Sequence, residues 1–235
     1  MKRKTILAIG AHPDDIDSAA AGSVAKWVEE GATAFYVIAT DGGKGTEDPD
    51  MTVDELIRTR KQEQLQAAKI IGVKEVFFLD FPDAELVGDM RLKEAIVRYI
   101  RMLKPDTVIT LSPELYFKSS PEDDGYVNHT DHRILATAVM DCVFPLSRDR
   151  LSFPQLQAEG LFPHKTSELL MLNSKEPSFL VDISATFKRK IQAMGCFKSQ
   201  FGEQKDFPWI SESNRHWGEQ LGVKYAENFT RLGFW

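Results

Sequence analysis

The stretch TILAIGAHPDD, residues 5–15, carries the first decision about the fold. Thr5–Gly10 is a short apolar run closed by glycine, the signature of a buried strand. From Ala19 to Glu30 the pattern changes. Ala21, Val24, Ala25 and Val28 fall on one face of an amphipathic helix, and Gly31 is placed to end it. Thr33–Thr40 (TAFYVIAT) is β-branched and aromatic and reads as a second buried strand. The alternation continues with a helix over Thr52–Ile71, where Thr52 and Glu55 have capping-box spacing. A strand at Glu75–Leu79, a helix at Arg91–Leu103 stopped by Pro105, and a strand at Thr107–Leu111 follow. Strands separated by crossover-length helices predict an α/β protein with a mainly parallel sheet.

Beyond residue 112 the pattern is less regular. A helix is expected over Thr130–Val143, strands over Ser167–Leu172 and Phe179–Ile183, and a helix over Ala185–Phe197. The last stretch holds Trp209, Trp217, Phe229 and Trp235 and is expected to pack on the body. Without repeats, low-complexity tracts or an obvious linker, residues 1–235 are expected to form one domain.

Composition narrows the function classes. The 235 residues carry 29 Lys+Arg against 35 Asp+Glu, a net charge of −6, with 43% hydrophobic and 27% charged residues. These are globular proportions, and the acidic balance argues against a general affinity for nucleic acid, which needs excess cationic side chains. Two cysteines, Cys142 and Cys196, are too few for a disulfide framework and read as free thiols in a reducing compartment. The apolar run Ile6–Ala11 is too short for a signal peptide or a membrane span. Lys2–Lys4 reads as a solvated lead-in to the first strand, and a cytoplasmic location is expected.

In a parallel sheet, ligands bind beyond the carboxyl ends of the strands. The segments to search are therefore 11–18, 41–50, 80–88 and 112–132. His12 stands in AHPDD after the first strand; His129 and His132 stand in NHTDH after the fourth. Taken singly, either motif could be an ordinary helix-capping turn. Together, at neighbouring strand ends, they form a chemical set. His12, Asp15 and His132 make a three-ligand site of two imidazoles and a carboxylate with an open position, the pattern of catalytic zinc. A water on such an ion is a hydroxide source near neutral pH. Asp14 is then free to be the general base. His129 is expected to stabilise an oxyanion or protonate a leaving group, and Asp131 to orient His129. The same donors also describe a non-haem iron(II) triad, so Zn2+ is the expected ion and Fe2+ stays open. A nucleotide-binding module would want G-x-G-x-x-G after the first strand; here two acids stand where a pyrophosphate would sit.

The order AHPDD (11–15), TDGG (40–43), Arg60 and Glu63 leading into AAKIIGV (67–73), FPDAEL (81–86) and HTDH (129–132) resembles the LmbE-like, or PIG-L, family of metal-dependent N-deacetylases. The resemblance runs from about Ile6 to about Phe201. It implies a Rossmann-like three-layer sandwich and a hydrolase that removes the N-acetyl group from N-acetylglucosamine-type sugars or glycoconjugates through a metal-bound hydroxide. It carries the ligand roles onto His12, Asp15 and His132, the base onto Asp14, oxyanion stabilisation onto His129 with Asp131 tuning it, and substrate binding onto Arg60. Its partner is a small acetylated amino sugar, with no nucleic acid and no membrane span; the terminal aromatics leave room for a homo-oligomer. An amidase or esterase for another acylated molecule, or a silent sugar-binding member, is the alternative. Departures from the family pattern are Asp17 for a usual glutamate, Ala21-Gly22 for Gly-Gly, Thr130 for proline, and a longer 112–127 loop whose Tyr116, Phe117 and Tyr126 are expected to pack on the body, with stacking on a sugar ring as a lid the alternative.

Overall fold

The computed structural model describes residues 4–118, 125–172 and 176–234. Lys2 and Arg3 of the expected lead-in, the centre of the 112–127 loop and Trp235 lie outside the described residues. In chain order, β1 (Thr5–Gly10), α1 (Asp15–Glu29), β2 (Thr33–Thr40), α2 (Val53–Ile71), β3 (Glu75–Phe81), α3 (Met90–Leu103) and β4 (Thr107–Leu111) alternate as expected. The paired short strands β5 (Phe117–Lys118) and β6 (Tyr126–Val127) precede α4 (Thr130–Asp141) and α5 (Pro154–Ala158). The chain continues through β7 (Glu168–Leu172), β8 (Phe179–Asp182), α6 (Phe187–Met194), α7 (Lys198–Phe201), α8 (Pro208–Leu221) and β9 (Ala226–Gly233).

The main sheet runs β3-β2-β1-β4-β7-β9-β8. Its pairs are parallel from β3 through β7, and β9 runs antiparallel to both its neighbours. The crossovers β1–α1–β2 and β2–α2–β3 step one way along the sheet, and β3–α3–β4 steps back past β1. Right-handed crossovers stepping in opposite directions place their helices on opposite faces. Accordingly α1, α2 and α6 pack together, and α3 packs with α4. The result is three layers. Ile6, Leu7, Ala8 and Ile9 of β1 and Val108 and Ile109 of β4 are buried in the middle of the core. No described helix is long and apolar enough to cross a membrane. Both cysteines are free, Cys142 buried and Cys196 half-buried.

The predicted helix starts hold where local chemistry sets them. Thr52 and Glu55 form the reciprocal capping box, and Gly72 ends α2 with φ 89°. Asp89 caps α3 through the N–H groups of Arg91 and Leu92. Helix α1 begins four residues earlier than its apolar face suggests, at Asp15. The C-terminal region holds more than aromatic packing: α8 has Pro208 in its first turn and Gly222 as its left-handed stop, and β9 completes the sheet.

One buried polar knot ties the C-terminus to α1. Glu227 of β9 is fully buried. Its carboxylate accepts the N–H groups of Gly22 (3.0 Å) and Ser23 (2.7 Å), and the Lys190 ammonium at 2.7 Å. Beside it, a Cβ on Gly22 would stand 2.8–3.0 Å from the Ile183 side chain. Of the family's Gly-Gly pair, the second glycine is kept here as Gly22, where the Ile183 side chain leaves no room for a Cβ. Gly22→Ala is expected to lower unfolding free energy by about 1–3 kcal/mol. In urea titrations, Gly22→Ala/Ile183→Val should lose less than the sum of the two single changes; strict additivity would show that this contact does not set the requirement.

Candidate active site

Strand β1 is the point where the sheet order reverses. The chain leaves β1 towards β2 and later returns to β4 on its other side, so the loops after β1 and β4 part and leave a crevice between them. The AHPDD turn fills one wall and the start of α4 the other.

The Asp15 carboxylate is oriented by its own turn: Oδ2 accepts the N–H groups of Ala11 (2.9 Å) and His12 (2.8 Å). Oδ1 lies 3.0 Å from His132 Nε2. His12 Nδ1 lies 3.1 Å from the same His132 Nε2 and 3.7 Å from Asp15 Oδ2. The hydrogen bonds on the far sides of the two rings fix their tautomers. His12 Nε2 faces Asp83 Oδ1 at 3.1 Å and Asp131 Oδ2 at 3.3 Å, so it carries the proton. His132 Nδ1 donates to Asn128 Oδ1 at 3.0 Å. In its neutral form each ring therefore turns a lone pair towards the Asp15 carboxylate. Three electron-rich atoms aimed at one point call for positive charge there. Two nitrogens and one oxygen within 4.8 Å of one another suit a divalent metal ion. A second group of His12, Asp83, His129 and Asp131 is equally compact. Its donors are already spent: Asp131 accepts Ala84 N–H (2.8 Å) and Leu86 N–H (3.3 Å), Asp83 accepts Lys44 N–H (3.1 Å), and His129 Nδ1 accepts Asp131 N–H (3.2 Å). It supports the first group rather than forming another ion site.

Asp14 and His129 flank the ligand atoms. Asp14 sits at the N-cap of α1 but caps nothing with its side chain; its φ of 101° turns the carboxylate away from the helix. Arg60 Nη2 donates to that carboxylate at 3.2 Å. On the other wall, His129 is the N-cap of α4. Its Nδ1 is occupied by the Asp131 N–H, so a neutral ring carries its proton on Nε2. His12, Asp14, Asp15, Arg60, Asp83, His129 and His132 all line one cleft of about 350 Å³.

The chain matches the family described as PIG-L: GlcNAc-PI de-N-acetylase over residues 7–143. It is 30% identical over 227 residues to the diacetylchitobiose deacetylase of Thermococcus kodakarensis, covering 95% of this chain and 81% of that protein. The chain belongs to the PIG-L family. A probable N-acetyl-alpha-D-glucosaminyl L-malate deacetylase 2 of Bacillus anthracis is 22% identical, over 98% of this chain and 93% of its own length. The solved structure of N,N'-diacetylchitobiose deacetylase from Pyrococcus horikoshii, complexed with its inhibitor MPG, superposes with a TM-score of 0.89. It is 27% identical and covers 99% of this chain and 85% of that one.

Within this PIG-L site the protein's own groups set four distinct carboxylates. Asp14 is pushed up to about 7 by burial and by the neighbouring Asp15 charge. Burial would also raise Asp15, but the charge of His132 and hydrogen bonds from both histidines hold it well below the ordinary range. Asp83 is likewise desolvated, yet the His12 hydrogen bond and charge bring it down to about 2. Asp131 is lowered for the same reason. Burial works against a charged His12, but Asp131, Asp15 and Asp83 outweigh it and raise the ring to about 12; an ion held by Nδ1 would take the place of that nitrogen's proton. His129 is lowered by burial and by the His12 charge.

One placement differs from the sequence expectation. Asp131 does not orient His129 with its carboxylate, which stands 3.9 Å from His129 Nδ1, beyond hydrogen-bond reach; it serves His12 and the turn at 84–86 instead. Arg60 is buried, with Nη1 on Gly42 O (3.1 Å) and Nη2 on Pro13 O (2.9 Å) as well as on Asp14. Of the loop aromatics, Tyr126 lines the cleft, whereas Tyr116 lies under the Arg133 guanidinium at 5.5 Å. Sequence reasoning missed Asp83 and Asn128. The signals were FPDAEL at a strand end and an amide just before HTDH. Tyr126 OH donates to Asn128 Oδ1 at 3.1 Å, so that amide also links the cleft wall to His132. Metal analysis after dialysis against zinc should find about one ion per chain and little in His132→Ala. Asn128→Ala should weaken metal affinity roughly tenfold to a hundredfold in chelator competition; undiminished affinity would show that the tautomer of His132 is set elsewhere.

Proposed function

We propose that this chain is a metal-dependent hydrolase that removes the N-acetyl group from an N-acetylglucosamine-type sugar or glycoconjugate, with zinc as its ion. The observation that carries the reading is the convergence of His12 Nδ1, His132 Nε2 and the Asp15 carboxylate, with the Asp14 carboxylate beside them in the same cleft. Family membership and the printed activities of the relatives support the acetamido sugar as substrate.

His12, Asp15 and His132 would hold the ion, which when bound supplies Lewis acidity and lowers the pKa of a water in its open position. Asp14 is the general base: its carboxylate lines the cleft beside the three ligand residues, takes a proton from the attacking water and can return it to the departing amine nitrogen. His129 is a neutral donor rather than an acid, because its Nδ1 is tied to the backbone and only Nε2–H is free to meet the oxyanion. Arg60 holds the Asp14 carboxylate while lining the cleft, so it stands behind the base and beside the substrate. Water adds to the acetyl carbonyl, the C–N bond breaks, and acetate and a free amine leave.

The test is acetate release from N-acetylglucosamine and N,N'-diacetylchitobiose by metal-loaded protein, with His129→Ala alongside. Loss of one such donor should cost about two to three orders of magnitude in kcat, with metal content retained. A His129→Ala chain that loses its metal would refute the oxyanion role. A metal-loaded wild type that hydrolyses no acetamido sugar would refute the proposed substrate class.

A further inference from the structure

The carboxylate of Asp14 reaches the cleft only because its backbone takes a conformation that an aspartate seldom adopts. With φ 101° and ψ −28°, the residue lies in left-handed territory where non-glycine residues are uncommon. Its side chain makes no cap to α1 that could compensate. The compensation comes from α2. Gln64 is fully buried, and its Oε1 accepts the Asp14 N–H at 3.1 Å. One turn earlier Arg60 holds Pro13 O and the Asp14 carboxylate. Residues four apart share a helix face, so α2 grips the turn at its backbone and at its side chain.

A glutamine can present either its oxygen or its NH2 group, and only the oxygen serves here. Asp17 makes the choice: its Oδ2 accepts Gln64 Nε2–H at 2.8 Å. Asp17 is itself fully buried, and its Oδ1 has no hydrogen-bond partner among the described residues. Removing a carboxylate from water for so little return is unfavourable for stability. The placement makes sense if its task is to polarise and orient Gln64.

We infer that Gln64 and Asp17 are positioning residues for the base: Asp17 fixes the face of the Gln64 amide, and Gln64 holds the Asp14 backbone in the left-handed conformation that aims its carboxylate into the cleft. The inference rests on the reading of Asp14 as the base. Neither residue touches substrate; both act through Asp14.

A polarity swap tests it. Gln64→Glu sets a second carboxylate against Asp17, drives the pair apart and releases Asp14. The expected loss is about tenfold to a hundredfold in kcat, with KM and metal content unchanged. Asp17→Asn alone can present either its oxygen or its NH2 group to Gln64, so it no longer fixes that amide and should lower kcat severalfold. In Gln64→Glu/Asp17→Asn the new amide donates to one oxygen of the new carboxylate, whose other oxygen accepts the Asp14 N–H. Most of the lost kcat should return. A merely packing role predicts variants that differ in thermal stability at unchanged kcat, and that result would overturn the inference. So would a double variant no better than Gln64→Glu. A crystal structure of Gln64→Met, which removes both hydrogen bonds at similar volume, reads the same point without activity. Asp14 should leave the positive-φ region and withdraw its carboxylate; an unchanged φ would overturn the inference. Should wild type hydrolyse no acetamide, the proposed function falls, and this structural readout still decides whether Gln64 holds Asp14.

Discussion

The His12 Nε2–H lies between the carboxylates of Asp83 and Asp131, and the rest of the site follows from that arrangement. It joins the loops after β1 and β3 to the start of α4. Each carboxylate has other obligations that extend the network. Asp83 accepts Lys44 N–H from the loop after β2, and Asp131 accepts the N–H groups of Ala84 and Leu86. Asp41 adds a cross-tie, its Oδ1 accepting both Gly43 N–H and Asp83 N–H. Buried polar networks are costly when partly satisfied and rigid when satisfied. Here the satisfied network fixes the orientation of the His12 ring, and with it the direction in which Nδ1 meets His132 and Asp15.

The topology of the sheet then divides the labour. Asp14 arrives from the β1 side of the crevice and His129 from the α4 side, so the two flank the ligand atoms from opposite walls. A planar acetamide needs such an arrangement: a proton acceptor where water approaches and a donor where the carbonyl oxygen gathers charge. Neither residue could change places with the other. Asp14 stands in a turn distorted to present a carboxylate, and His129 stands at a helix start where one ring nitrogen is consumed by the Asp131 N–H.

How far this was legible in the sequence depends on whether a residue's partners are local. Strands β1, β2 and β4 were plain because both their faces are buried and their sequences are continuously apolar. The capping box of α2 was plain because both its partners lie within four residues. Strand β9 was not, since Glu227, Asn228, Thr230 and Arg231 break any apolar run. Glu227 is buried only because N–H groups of α1 and the ammonium of Lys190 meet it, some two hundred and some forty residues away in sequence. The same distinction runs through the site. His12, Asp15 and His132 were legible as motif residues at strand ends. Asp131 invited the wrong neighbour: it stands two residues from His129, yet the turn into α4 sends its carboxylate towards His12 and the loop after β3. Asn128 and Gln64 carry no charge and belong to no spacing rule, and only the fold reveals what their amides face.

Four aspartates crowd this crevice, and their partners alone separate their tasks. Asp15 accepts two backbone N–H groups and stands against the charge and hydrogen bonds of His12 and His132, which stabilise its charge and suit it to a cation. Asp83 and Asp131 are saturated by His12 and by main-chain donors, so they stay ionised and act through the ring they hold. Asp14 is the exception. Its carboxylate has the Arg60 guanidinium at 3.2 Å, a neighbouring negative charge and partial burial, and its proton affinity rises to about 7. Titratable groups whose surroundings drive their pKa values apart mark the division between those that hold and those that transfer protons. By that criterion a carboxylate with few donors is no defect of the site. A carboxylate as well satisfied as Asp83 would suit the proposed role of base poorly; α2 instead grips the Asp14 backbone with Gln64 and, among the described residues, meets its carboxylate with the one donor side chain of Arg60.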